Sequence, residues 1–347
     1  MQIDMSPDWY FYAMHFSAIV TTPVNISGIM IILFCQTRQL SSLRWHLLVF
    51  QIFSMISDFS LNVGTLPVIF SPFPIGRPHG VYTLIFQKFG FETSTEAQCI
   101  LVFVSIYLTA GSVEFLFLLR YQAILPSGHP HKLSTFISVL LLSIWQVFLI
   151  TMMLISFKLA VPDQQVARAL FAQLHPELQY LMTDEHVFIV CVVVELIHVI
   201  FLFSCFFRLG IGMVTVIVLI WMSSRSLKSI QISLTTKRMH LQLIKSLCQQ
   251  IIVPILAFYI PIIVVVVPLM LSIPNSQLSF FISLICLSYH TFFGTLSMLY
   301  FNPHYRQWVI SAVRNRPMNT STALTSKFVL ARERSNFNAG RNVSAVI

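Results

Sequence analysis

The chain has 347 residues, of which 56% are hydrophobic and only 10% charged, with a mean hydropathy of +0.80. A soluble domain carries about 25% charged residues, so a water-soluble fold is excluded, and the 31 Phe, 14 Met and 16 Pro suit a polytopic helical membrane protein. The net charge of +9 points to membrane orientation and not to nucleic acid, because in such a protein the basic residues report which side is cytosolic.

Apolar runs close to the roughly 20 residues that cross a bilayer predict seven spans, at 10–35, 46–70, 97–119, 133–157, 199–222, 248–272 and 277–301. The expected fold is therefore an all-α membrane protein, a seven-transmembrane helix bundle over 10–301 with a short N-terminal segment (1–9) and a tail (302–347). The start MQIDMSPDWYFY lacks a basic n-region, so span one is expected to be the anchor. The tail is polar and basic and is expected to be disordered. Its first part, YRQWVISAV, puts Trp308, Val309 and Val313 on one apolar side and is expected to form a short interfacial helix.

Span five is the ambiguous one. Apolar character runs from Val187 to Met222, too long for one span and too short for two. HVFIVCVVVEL (186–196) is β-branched enough for an outer strand, which places the helix in the second half. A long helix projecting outward is the alternative. Arg208 then lies in the outer third of the span, and its side chain is expected to snorkel to the headgroups.

Segments 36–45, 120–132, 223–247 and 302–347 hold 16 of the 21 Lys and Arg, whereas eight of the twelve acids lie on the other side. The positive-inside rule puts the N-terminus outside and the C-terminus in the cytosol. Sequons at Asn25, Asn319 and Asn342 then fall in the bilayer or the cytosol, so none is expected to carry glycan.

No nucleophile, P-loop or zinc-protease spacing is present, and the six Cys and eleven His show no metal-ligand pattern. No enzyme, cofactor or metal is expected. Two acids, Asp58 and Glu114, sit squarely inside spans. An ionisable group at the bilayer centre costs about 2.5–3.5 kcal/mol on insertion scales and faces a bundle interior or a wet cavity. Asp58 lies about 18 Å from the inner end of its helix, at ~1.5 Å per residue, so it is mid-membrane. Its expected partners are Asn25 of span one and Ser297 or Asn302 of span seven. It is either a polar node joining moving helices, with an ion or proton site, or a hydrogen-bonded packing carboxyl.

The asparagine of span one, the aspartate of span two, Arg120-Tyr121 closing span three and Asn302-Pro303-x-Tyr305 closing span seven together resemble a G-protein-coupled receptor. The full-length pattern is similar to the nematode serpentine chemoreceptors, class I or class H. It is carried by SPDWYFYAMHF, LLVFQIFSMISDFSL, PVIFSPFPIGRPHG, VPDQQVARALFAQLHPEL, QQIIVPILAFYIPIIVVVVP and NPHYRQWV. The resemblance implies an external small-molecule ligand, a heterotrimeric G protein as partner, and a place in the plasma membrane of chemosensory cilia. It implies that Asn25, Asp58, Asn302, Pro303 and Tyr305 form a switch, and that Arg120 and Tyr121 meet the G protein. It also implies a disulfide between Cys99 and Cys191, with two buried free thiols as the other reading. Leu119 stands where the acid of an Asp-Arg-Tyr triplet would be, so Arg120 lacks the adjacent carboxylate.

The third inner segment, with Lys237 and Arg238 among five basic residues and no acid, fits a G-protein surface. It equally fits attraction to the anionic inner leaflet, at about 1 kcal/mol per basic residue. Pro254, Pro261 and Pro268 recur every seven residues in span six and bend it, as a hinge or as a static kink. By depth alone, Gln98, Tyr107, Phe258 and Tyr289 are expected to line the ligand pocket. The competing function is a transporter or channel using Asp58 and Glu114 as ion or proton sites, although no internal repeat of the kind transporters carry is visible.

Overall fold

A computed structural model describes residues 4–35, 41–90, 94–126, 128–229 and 273–313, with the single positions Leu241, Cys248, Leu256, Ile260, Pro261, Ile263 and Val264 between them. Among the described residues, six helices are long and apolar enough to cross a membrane. They are α1 (Asp8–Phe34), α2 (Ser41–Phe59), α4 (Ser94–Ile124), α5 (Thr135–Ala160), α7 (Leu196–Ser229) and a last span made of α8 (Gln277–Ser288) and α9 (His290–Phe301). The expected sixth span lies outside the described residues, except for six isolated positions, each of them helical. Pro254, Phe258 and Pro268 fall outside as well, as do Lys237 and Arg238.

Local chemistry fixes several boundaries. Ser134 caps α5 by accepting the Ile137 N–H at 3.2 Å. Pro7 precedes α1, whose interior Pro23 is tolerated within a bundle. The first span-two helix loosens into a π-helical stretch, Ser60–Thr65, and stops at Leu66, which takes a left-handed φ of 45°. The last span breaks at Tyr289, so it is two rods of twelve residues each. A short helix α10 (Pro303–Val313) follows, where the interfacial helix is expected.

The central helix is α4, which packs on α2, α5 and α7, while α1 packs on α2 and on the last span. Helix α7 starts at Leu196, three residues earlier than expected, and the apolar run before it is not one strand. It contributes only β3 (Phe188–Ile189). This strand completes a three-stranded antiparallel sheet with β1 (Pro67–Ile69) and β2 (Ile75–Pro78), in the order β1-β2-β3. The bundle thus carries a small outer sheet that an all-helical reading leaves out.

This sheet, together with α3 (Val81–Lys88), α6 (Gln164–Leu174) and the 3-10 turn Pro176–Thr183, forms a cap over the outer ends of the helices. Its apolar interior runs from Tyr10 and Met14 through Val68, Phe70, Phe171, Leu181 and Ile189 to Phe281 and Leu284. Tyr10 stacks on Phe281 at 4.5 Å and donates its hydroxyl to the Pro67 carbonyl at 2.9 Å. At the inner end, Tyr305 and Met298 pack with Ile31, Ile32, Leu47, Leu48 and Leu116. Trp308 and Val309 of α10 lie against this cluster.

Candidate functional site

Asn25 and Asp58 are both buried and meet: the Asn25 Nδ2 donates to Asp58 Oδ2 at 3.2 Å. The Thr295 hydroxyl donates to Asn25 Oδ1 at 3.0 Å and accepts from Gln51 Nε2 at 2.7 Å. His290 Nδ1 lies 3.1 Å from Asp58 Oδ1 and 2.8 Å from the Leu287 carbonyl, so its proton faces two acceptors. Span seven therefore reaches this node through His290 and Thr295, where Ser297 or Asn302 was expected. Asn302 lies seven residues beyond Thr295, where it closes α9 and accepts the Arg306 N–H at 3.0 Å at the joint with α10.

The second carboxylate is held differently. Arg208 does not snorkel. It is 1% exposed, with Nη1 2.5 Å from Glu114 Oε1, itself 2% exposed. The Gln146 amide donates to Glu114 Oε2 at 2.8 Å and accepts from Arg208 Nη2 at 3.3 Å. The guanidinium also lies 5.8 Å from the Tyr107 ring centroid. The physical reason is depth: twelve residues past Leu196 is about 18 Å into the helix, too far for the side chain to reach headgroups but level with Glu114.

Two glycines make room for this triad. A Cβ on Gly111 would sit 2.5 Å from the Gln146 side chain, and one on Gly212 would sit 2.7 Å from Glu114 Oε1 and 2.9 Å from Arg208 Nη1. Spans three, four and five are thereby joined through three side chains, as spans one, two and seven are through the Asp58 node.

Between the two networks lies a cavity of about 110 Å³. Its described walls come from α2 (Phe50, Gln51, Ser54), α4 (Ile106 to Glu114), α7 (Arg208 to Val216) and α9 (His290 to Thr295). Of the residues expected to line a pocket, Gln98, Tyr107 and Tyr289 are not among the described walls of this one. Gln98 is fully buried and donates to Thr83 at 3.1 Å under the cap. The Tyr107 hydroxyl is bonded to the Ser204 carbonyl at 3.3 Å. Tyr289 sits at the helix break, half-buried, and Phe258 lies outside the described residues.

At the inner end Arg120 and Arg44 lie near the buried Tyr305. Arg44 also bonds to the Leu33 carbonyl. Tyr121 is not at the surface: it is buried against Phe117, Leu125, Val216 and Leu219 in the α4–α7 contact. Pro303 opens α10, and Pro261 is buried in its helix.

The expected disulfide is corrected. Cys99 and Cys191 are both free thiols. Cys99 packs in an apolar cluster with Tyr107, Phe157 and Phe188, and burial raises the Cys191 thiol to about 11. The outer loop is fastened by other means. Arg168 donates to the carbonyls of Asp184, Glu185 and Val187 at 2.9, 2.8 and 2.6 Å. Arg77 pairs with Asp184 at 2.5 Å. The Gln164 amide extends the sheet by donating to the Ile189 carbonyl at 3.0 Å and accepting its N–H at 2.9 Å.

Sequence reasoning missed His290, Gln51 and Thr295 and misplaced Arg208. A signal was present: Gln51, Ser54 and Asp58 fall at i, i+3 and i+7, which makes one polar stripe on an otherwise apolar helix.

A seven-helix receptor architecture is the class of protein that these features define. The family model of the serpentine type seven-transmembrane G-protein-coupled chemoreceptor Srh matches residues 5–315. The chain belongs to this family of chemosensory receptors, a family of multi-pass membrane proteins and not of enzymes. Of the two classes that the resemblance left open, the match is to class H. No curated protein matches the chain. As in its family generally, a small-molecule ligand and a G protein are the partners.

Proposed function

We infer that the protein sits in the plasma membrane of chemosensory cilia, binds an external small molecule and couples it to a heterotrimeric G protein. Ligand binding favours one arrangement of the bundle over another. The inner ends of α4, α7 and span six then part to expose Arg120 with the basic segment around Lys237 and Arg238. The same basic segment also meets the anionic inner leaflet. No catalytic activity and no nucleic-acid partner belong to this reading.

The observation that carries it is the pair of buried networks, one joining spans one, two and seven and the other joining spans three, four and five, with a cavity between them. Two rigid groups of helices facing a common cavity are the kind of arrangement whose relative position a ligand can bias. Within the first of these groups, Asn25, Asp58, Asn302, Pro303 and Tyr305 act as the switch, and the Pro254, Pro261 and Pro268 series acts as the hinge.

The test is a ligand-panel screen in cells with a G-protein reporter, run beside Arg120→Ala and with ion currents recorded. Ligand-dependent GTP exchange that Arg120→Ala abolishes, without ion flux, supports the reading. A ligand-gated current in a bilayer free of G protein would instead make the protein a channel.

A further inference from the structure

We propose that the cavity between α2, α4, α7 and α9 is the ligand pocket, and that it takes a small, neutral, mainly apolar molecule carrying an acceptor oxygen, such as a ketone, aldehyde or ester, anchored on the Nε–H of Arg208. The proposal rests on the receptor reading above and adds the place and the ligand chemistry.

Size comes first. The cavity of about 110 Å³ is of the order of the roughly 150 Å³ apolar cavity that admits benzene, so the molecule is about the size of one six-membered ring. The wall between the polar groups is apolar, from Phe50, Ile106, Ala110, Val113, Leu209 and Met213.

The polar requirements follow from which groups are already satisfied. Both oxygens of Glu114 are taken, by Arg208 and by Gln146. Two guanidinium nitrogens are taken as well, but the buried Arg208 Nε has no hydrogen-bond partner among the described residues. Across the cavity the buried Ser54 hydroxyl lacks one too. An orphaned buried donor is costly and gains most from an acceptor that fits.

The charge of the ligand is set by the same pair. Glu114 already neutralises Arg208 at 2.5 Å, so a carboxylate ligand would bring a second anion beside Glu114 in a medium of low dielectric, and an ammonium would meet a guanidinium with no free carboxylate oxygen to compensate. A pure hydrocarbon would fit but would leave the Nε–H unpaired.

The test uses the full-length receptor in lipid nanodiscs and four probes built on one six-membered ring: cyclohexanone, methylenecyclohexane, cyclohexanecarboxylate and cyclohexylamine. Binding is read by saturation-transfer NMR with empty nanodiscs as the background. Cyclohexanone is expected to bind about tenfold tighter than methylenecyclohexane, or better, as expected for one charge-assisted hydrogen bond. The acid and the amine should bind more weakly still.

Ala110→Leu fills the cavity and should remove ketone binding. The double variant Glu114→Gln with Arg208→Met replaces the ion pair by neutral groups, which a folded core commonly tolerates, and should bind ketone and hydrocarbon alike. Thermal melts confirm that each variant is folded. Binding of none of the probes, preference for the acid or the amine, or ketone binding unchanged in a folded Ala110→Leu receptor would overturn the proposal. Because the readout needs no G protein, its failure is separate from a failure of coupling.

Discussion

The midplane of the bundle and the outer cap both tie distant parts of the chain together with polar bonds, but they use different partners. In the midplane, side chain bonds to side chain: Asn25 to Asp58, Thr295 to Asn25, Arg208 to Glu114, Gln146 to both. In the cap, side chain bonds mostly to backbone, as with Arg168 on the loop carbonyls of Asp184, Glu185 and Val187 and Gln164 on Ile189. The difference follows from solvent. Helical backbone inside a bilayer is already satisfied, so only side chains remain to link helices, whereas cap loops carry unpaired carbonyls that an arginine can collect. Water can replace a lost bond in the cap but not in the midplane, so equal numbers of bonds have unequal weight.

The comparison predicts a ranking. Arg208→Ala leaves Glu114 as an uncompensated buried charge and should cost about 3–5 kcal/mol, read as loss of surface expression and of thermal stability in detergent. The neutral double variant should recover most of that loss. If Arg208→Ala were as stable as the parent, the pair would be no more than a surface contact.

Thr295→Val comes next. It removes the hydroxyl that links Asn25 to Gln51 and strands two buried amide groups, at about 1–3 kcal/mol. Its mark is a lower melting temperature with ligand binding still measurable.

Arg168→Ala in the cap should be smaller, about 1 kcal/mol, because water reaches part of the freed loop. It should appear as faster hydrogen exchange over 176–189 with little change in the global melt. A global melt lowered as far as that of Arg208→Ala would end the distinction between the two regions.

Acid pH should act on the cap. Burial, with Arg77 nearby, lowers the pKa of His79. A His depressed in the folded state favours folding above its unfolded value of about 6.5, and that contribution is lost as pH falls through the folded one. Protection of the amides at 75–80, relative to their intrinsic exchange rates at each pH, should fall between pH 7 and pH 5, and His79→Phe should flatten the trend.

The smallest effect belongs to the cysteines. Serine at Cys99 or Cys191 should change melting temperature alike in reducing and oxidising buffer, since no bridge joins them. A redox-dependent difference would restore the disulfide.

Much of the fold was legible because the bilayer imposes length and polarity on each span. Asp58 and Asn25 stood out as polar interruptions of apolar runs, and their meeting follows from equal depth. Arg208 was misjudged because its depth depends on where α7 begins, and the run from Val187 gives no boundary; only the sheet pairing of Phe188–Ile189 sets it. The cavity was illegible for a related reason. Its walls come from four helices, and the residues that face it are chosen by packing at Gly111 and Gly212 and by the break at Tyr289. Of the cap's sheet only the strand within 186–196 was legible; β1 and β2 were hidden because strands of three or four residues carry almost no periodicity.

The stacking of Tyr10 on Phe281 also sets a clock for biosynthesis. The two rings are 271 residues apart, and at about 5–20 residues per second the ribosome needs about 14 to 54 s between them. For that interval the first span has been made while the aromatic partner of its outer end does not yet exist. Closure of the cap is therefore among the last events of assembly, and a chain halted before the final span should present Tyr10 and Met14 uncovered to whatever inspects unfinished receptors.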